Sequence, residues 1–376
     1  MKLVNSLSFT FLLVFAALAF SSCRQTNNYE KHITLYVGTY GDSLFKYSID
    51  TKSFEYNKIE SAAVCNSSYI ALSDNGRYLF AVTESGDNSK ISSFDNKNGL
   101  KFISSNENIA KDPCYISYFK EYLFTADYSG GSISVYPTDS GIINPASQVM
   151  QFCGQGPNII RQASSHIHTV RILSDPEFTD NYLIATDLGD DKLYIFKIEN
   201  SNGKMKCIPN NPYYIKTAPG SGPRHLEFDI ARNQIYLLSE LSGTISTYSY
   251  SEQSDNNLGL SLKQEILADS TDIQASADIH LHPDGKYLYS SHRKMNDRIA
   301  IMEIADNGTI SIVGYQPTAG HPRNFVINKE GTLMFVASKD EQLIQIFTIN
   351  PESGLLTDTG HTIDVESGYP VCILIE

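Results

Sequence analysis

Histidine, arginine and carboxylate side chains of this 376-residue chain recur at the starts of short apolar segments. The starts read Ser165-His166-Ile-His168-Thr169, Gly222-Pro-Arg224-His225, Ala277-Asp278-Ile-His280 and His321-Pro-Arg323-Asn324. A second set, Asp127, Asp187, Glu240 and His292-Arg293, ends the segments that follow. These types suit hydrolysis at a carbonyl. His168 or Glu240 can deprotonate a water and return the proton to a leaving alkoxide. Arg224 and Arg293 can stabilise the oxyanion that forms, or grip a carboxylate or phosphate through two parallel hydrogen bonds. His166 and His168, two apart on a strand, share one face. No third ligand follows at metal-site spacing, so the pattern predicts neither a metal nor another cofactor. Plainer roles stand beside these: Glu240 can serve only as an ion-pair partner of Arg224, and Arg323 can merely cap a channel.

The elements that position these residues form a repeat. Tyr69 to Phe80, Asp278 to Tyr289 and Asn324 to Phe335 align without a gap, each an apolar strand, an Asp/Asn/Glu-Gly turn and a strand rich in Tyr, Leu and Phe. Looser copies begin at Tyr115, His168 and His225. Alternating strands such as Ser132 to Tyr136, Lys192 to Phe196, Thr244 to Tyr248 and Leu343 to Phe347 follow, bounded by turn residues as hairpins require. The starts lie about 45 to 57 residues apart, the period of four-stranded propeller blades. Six blades are visible in this way. Segments Ile33 to Gly38, Ser43 to Ile49 and Phe54 to Ile59 supply three strands of a seventh, and Pro370 to Ile375 supplies its first. The expected fold is an all-β, seven-bladed β-propeller closed by its C-terminal strand, spanning residues 33–376 as one domain. Innermost strands then line a central channel, with the polar starts at one mouth. The chain has no tryptophan, which sets it apart from propellers built on tryptophan signatures.

The same residues carry a resemblance over nearly the whole chain, from Leu35-Tyr-Val-Gly-Thr-Tyr40 to Pro370-Val-Cys-Ile-Leu374. The matching stretches are His166-Ile-His168, Ala185-Thr-Asp-Leu-Gly189, Gly222-Pro-Arg-His-Leu226, Ser239-Glu-Leu241, Ala277-Asp-Ile-His280 and Pro322-Arg-Asn-Phe325. Each is weak alone, but six in order are specific. The sequence resembles the propeller 6-phosphogluconolactonases and 3-carboxymuconate lactonizing enzymes. That resemblance implies a catalytic set of His168, Arg224, Glu240 and Arg293, with Arg323 and His280 as neighbours. His166, His225, Asp278 and Asp187 complete the expected substrate-binding set. Two positions depart from the family pattern: Tyr115 stands where many relatives have histidine, and Ser165 replaces a proline. Both departures bear on the substrate more than on the reaction.

At the N-terminus, Lys2, the apolar run Phe11 to Phe20 and Ser21-Ser22 read as an export signal over residues 1–22, too short to span a bilayer. Phe20-Ser-Ser-Cys23 resembles a bacterial lipobox, which implies lipidation of Cys23, a short tether over 23–32 and a periplasm-facing location in the cell envelope. Net charge is −13 and no basic run occurs, so nucleic acid is excluded as a partner. The remaining cysteines, 65, 114, 153, 207 and 372, lack paired metal-site spacing and read as small buried hydrophobes. The leading reading is a monomeric, metal-free lactonase acting on a sugar lactone, phosphorylated or not. A carboxymuconate-type cycloisomerase and a non-catalytic propeller that binds a glycan or protein are the alternatives.

Overall fold

Runs that alternate β-branched or aromatic with small polar residues, closed off by Asp, Asn and Gly, form antiparallel strands throughout. The computed structural model describes residues 31–97, 99–107, 110–201, 204–271, 274–366 and 368–376. The expected export segment and Cys23 lie outside the described residues. Among those described, the helical pieces are 3₁₀ turns at Gly86–Asn88 and Ile230–Arg232.

The strands group into seven sheets, six of them in chain order from the inside outwards. Blades 1 to 6 open with the innermost strands Ile70–Leu72, Pro113–Phe119, Ile167–Leu173, Pro223–Asp229, Ser276–Leu281 and Pro322–Ile327. Each begins within two residues of the start read from the repeat. The innermost strand of blade 7 is Pro370–Ile375, paired antiparallel to His32–Thr39 with Val37 opposite Ile373. The two ends of the chain thus share one blade, and the ring closes without an open sheet edge between blades. Blade 2 departs from four strands, because Ile142–Ile143 and Gln148–Gln151 both pair with Ser132–Asp139. Asn144-Pro145 interrupts what would be one outer strand, since proline cannot donate to the ladder.

Apolar side chains fill the layers between blades. One layer joins Phe45, Tyr47 and Ile49 of blade 7 to Phe335, Ile344 and Ile346 of blade 6. Another joins Phe124, Ile133 and Val135 of blade 2 to Ala185, Tyr194 and Phe196 of blade 3. Second strands are therefore covered on both faces, which is why they read as nearly continuous apolar runs. Near the axis the situation reverses. The inner edge of each innermost strand has no neighbouring strand, so its carbonyl groups need other donors. Polar side chains of neighbouring blades supply them: Ser117 Oγ donates to Val170 O at 2.6 Å, and Arg171 Nη1 donates to Leu226 O at 2.8 Å. Part of the channel's polarity is thus structural.

Of the cysteines, Cys114, Cys207 and Cys372 are buried as expected, whereas Cys65 and Cys153 are exposed, and all five are free thiols. Cys65 and Cys153 fall on connections between strands rather than on a blade face, which corrects the reading of all five as core residues.

Candidate active site

Register slips in the ladder at the channel mouth bring the polar residues together. In six blades the pairing of the innermost strand with its neighbour skips one or two residues: between Pro113 and Tyr115, Ile167 and Thr169, Pro223 and His225, Ser276 and Ile279, Pro322 and Asn324, and, in blade 7, Pro370 and Cys372. A bulge frees the skipped side chain from the alternation of the sheet and re-aims it. Cys114, His168, Arg224 and Arg323 are skipped residues of this kind. A second register completes the set, for the residue after the second strand is Tyr40 in blade 7, Glu84 in blade 1, Tyr128 in blade 2, Glu240 in blade 4 and Arg293 in blade 5. The two registers meet around a cavity of about 220 Å³, lined by Cys114, His168 and Arg323 from the first and all five from the second. Arg161 closes the wall from a connecting loop.

Local chemistry fixes these positions. Gly222 has φ +62, and a Cβ there would stand 2.6 Å from Leu241 Cγ, so only glycine fits before Pro223-Arg224. Its carbonyl accepts from the Glu240 amide at 2.7 Å, which ties the two halves of blade 4 at the site. Arg161 sits on a tight turn in which Asn158 Oδ1 accepts from the Ile160 and Arg161 amides at 3.2 and 3.1 Å. The buried Gln162 anchors that turn to Leu188 O and to Asp191.

Glu240 is the electrostatic centre. Its Oε1 lies 2.7 Å from Arg161 Nη2, and its Oε2 lies 2.9 Å from Arg224 Nε and 3.3 Å from Arg293 Nη2. Burial alone would raise its pKa, but Arg293, Arg224 and Arg161 hold the carboxyl far below the usual carboxylate range. Glu240 is therefore a fixed anion of low basicity. His168 is the opposite case. Burial, reinforced by the charges of Arg224, His225 and Arg323, pushes its pKa well below the ordinary value, so its imidazole is neutral in the resting site. Arg323 donates to Tyr40 OH at 2.7 Å, and Tyr40 OH donates to Glu84 at 2.9 Å. No carboxylate among the described residues forms an ion pair with Arg323.

The other expected site residues are placed differently. Arg224 is buried behind Glu240 and also donates to Ala277 O. His166 stacks on Tyr128 with centroids 4.4 Å apart, and its Nδ1 is 3.0 Å from Tyr128 O. Asp187 is turned inwards, where it accepts from Ser165 Oγ and from the His166 and Gly189 amides at 2.8 and 2.9 Å. His225, Asp278 and His280 form a second cluster below the cavity. Asp278 accepts from His225 Nδ1 at 2.7 Å and from His280 Nε2 at 3.0 Å. His280 also reaches Glu227 at 3.4 Å, and Glu227 pairs with Arg171 at 2.9 Å. Tyr115, one of the two departures, stacks on Tyr69 at 3.9 Å in this lower layer.

Comparison with known proteins decides the family. Residues 34–375 match the family model of the lactonases described as seven-bladed β-propellers. The chain belongs to this lactonase family. Lactonases are carboxylic-ester hydrolases, and this family member falls in that class of enzyme. Among relatives, a 6-phosphogluconolactonase of Formosa agariphila is 33% identical over 86% of this chain and 94% of its own length. A Bacteroides fragilis propeller for which 6-phosphogluconolactonase activity is inferred superposes with a TM-score of 0.86, at 38% identity over 92% of this chain and 98% of its own. A periplasmic gluconolactonase of Pseudomonas aeruginosa superposes with a TM-score of 0.80, at 28% identity over 92% and 99%.

Against this family background, the residues that sequence reasoning missed are Arg161, Tyr40, Glu84, Tyr128 and Cys114. Tyr40, Glu84 and Tyr128 occupy the register of Glu240 and Arg293 in other blades, so extending that register to all seven blades finds them. Cys114 occupies the register of His168. Arg161 lies on a connection outside the repeat, and no sequence signal places it.

Proposed function

We propose that this chain hydrolyses a sugar lactone in the mouth cavity without a metal, with His168 as the general base. The observation that supports this reading is a neutral, buried imidazole beside a surplus of positive charge: Arg161, Arg224, Arg293 and Arg323 against Glu84 and Glu240. Water held against His168 loses its proton to the ring and bonds to the lactone carbonyl carbon. Negative charge then develops on the carbonyl oxygen, where Arg161 and Arg293 offer donors that Glu240 has already oriented. The ring C–O bond breaks, and the alkoxide takes the proton back from His168. The product hydroxy acid ionises and finds the same guanidiniums. Glu240, saturated by arginines, serves here as the organiser of that cluster in place of the base.

Arg323, free of a carboxylate partner among the described residues, is the group best suited to meet a substrate phosphate or hydroxyl. The lipobox-like Phe20-Ser-Ser-Cys23 and the periplasmic Pseudomonas gluconolactonase both favour an unphosphorylated aldonolactone outside the inner membrane. A panel of δ- and γ-lactones, phosphorylated and not, followed by acid release in a pH-stat against an enzyme-free control, tests the reading. Turnover above the control identifies the substrate; none on any member overturns lactone hydrolysis. Cys23→Ala should move the protein from the membrane fraction to the soluble one, and wild type that is already soluble would refute the anchor.

A further inference from the structure

A general base of the imidazole type needs its second ring nitrogen held, because the partner of that nitrogen decides which tautomer faces the substrate. In His168 this nitrogen, Nδ1, is buried and has no hydrogen-bond partner. The ring that faces His168 below the cavity is His225, with centroids 5.2 Å apart and planes at 67°. Its Nε2 is likewise buried without a partner. The two orphaned atoms are complementary. His225 Nδ1 donates to Asp278 Oδ1 at 2.7 Å, which leaves Nε2 as a bare acceptor, while His168 needs an acceptor for its Nδ1 proton.

The support beneath is over-determined. Asp278 also accepts from His280 Nε2 at 3.0 Å, from Asn324 Nδ2 and from the Phe325 amide at 3.3 Å, so its carboxylate has no freedom to swing away. Tyr115 and Tyr69 meet the His225 ring edge-on, with centroids 5.4 and 6.1 Å away. His168 is bordered by Tyr128, at 5.6 Å between centroids, and by the charges of Arg224 and Arg323.

We propose that Asp278 and His225 are positioning residues for His168. Asp278 fixes the tautomer of His225, His225 Nε2 accepts the His168 Nδ1 proton through one bridging water, and His168 Nε2 is thereby presented bare to the cavity. The inference rests on the proposed role of His168 as base. It gives His225 and Asp278 a function that does not require either to touch the substrate.

Nitrogen-15 NMR of the folded, histidine-labelled wild type at neutral pH tests the arrangement without any variant. His168 and His225 should both carry the proton on Nδ1. A His168 that carries it on Nε2 overturns the inference, whatever the activity. Kinetics give the second arm. Asp278→Asn should lower kcat at least about 10-fold with little change in KM, as expected when a base is misoriented and binding is intact. His225→Gln, which retains an acceptor oxygen, should keep more turnover than His225→Leu. Equal kcat in wild type, His225→Gln and His225→Leu overturns the proposal. Full turnover in His168→Ala would instead remove His168 as base while leaving the NMR result to stand alone, so the two failures are distinguishable.

Discussion

At the mouth of the channel one buried carboxylate, Glu240, faces three guanidiniums. A layer below, the carboxylates of Asp278 and Glu227 meet two cations, His280 and Arg171, with His225 neutral. Both clusters are buried and built from the same residue types, yet the upper is charge-surplus and the lower charge-balanced. A balanced buried network satisfies itself and holds innermost strands together. A surplus in a cavity is costly unless an anion comes to it. On the proposed reading, charge surplus marks the substrate site better than polarity alone does.

The sharpest break in this comparison is His168→Ala, which should cut lactone turnover by about 10²-fold or more while leaving thermal unfolding close to wild type. Unchanged turnover above the enzyme-free rate would move the chemistry elsewhere. Glu240→Gln should come next. Removing the anion leaves three arginines crowded in a buried site, so stability should fall by about 3–5 kcal/mol in denaturant titration, with a raised KM. Arg161→Ala, in a half-exposed position on the rim, should cost no more than about 1 kcal/mol. If both variants were equally destabilised, the surplus at the mouth would be an ordinary structural ion cluster.

The lower cluster answers to pH. Burial opposes charge on His280, but Asp278 and Glu227 raise its pKa to about 10, above the ordinary value near 6.5. The stability it contributes is complete below about pH 6.5 and is lost as pH rises towards 10. The melting temperature should accordingly decline across that window, and His280→Gln should flatten the decline. A variant with the wild-type slope would show that another group titrates there. The smallest expected effect is that of prolonged chelator treatment, which should leave lactone turnover unchanged; a loss restored by added zinc or calcium would overturn the metal-free mechanism.

Much of this was legible before any coordinates. The Asp/Asn-Gly turn between two apolar strands recurs because each blade solves the same packing problem, so innermost strands could be located to within two residues. Polar residues that interrupt apolar strands at a fixed point of the repeat marked the mouth, and the family resemblance singled out His168, Arg224, Glu240, Arg293 and Arg323 among them. Arg161 was not found, since the Asn158 turn that aims it belongs to no repeat. The repeat likewise carried no sign of the break at Pro145 that divides the outer strand of blade 2.

Sequence by itself determined the number of blades, the closure of the ring and which residue types gather at one mouth, because these follow from periodicity and strand order. Tertiary structure decided which of those residues share a cavity and which lie beneath it. A bulge re-aims the skipped residue against the alternation that sequence reading relies on, which turns His168 and Arg323 to the cavity, whereas Arg224, skipped in the same way, is held behind Glu240 by that carboxylate and by Ala277 O. Charge states, too, belong to the assembled fold. Glu240 becomes a fixed anion and His168 a neutral base only when side chains from four blades and one loop are brought within a few ångströms, where burial strengthens every charge on its neighbours.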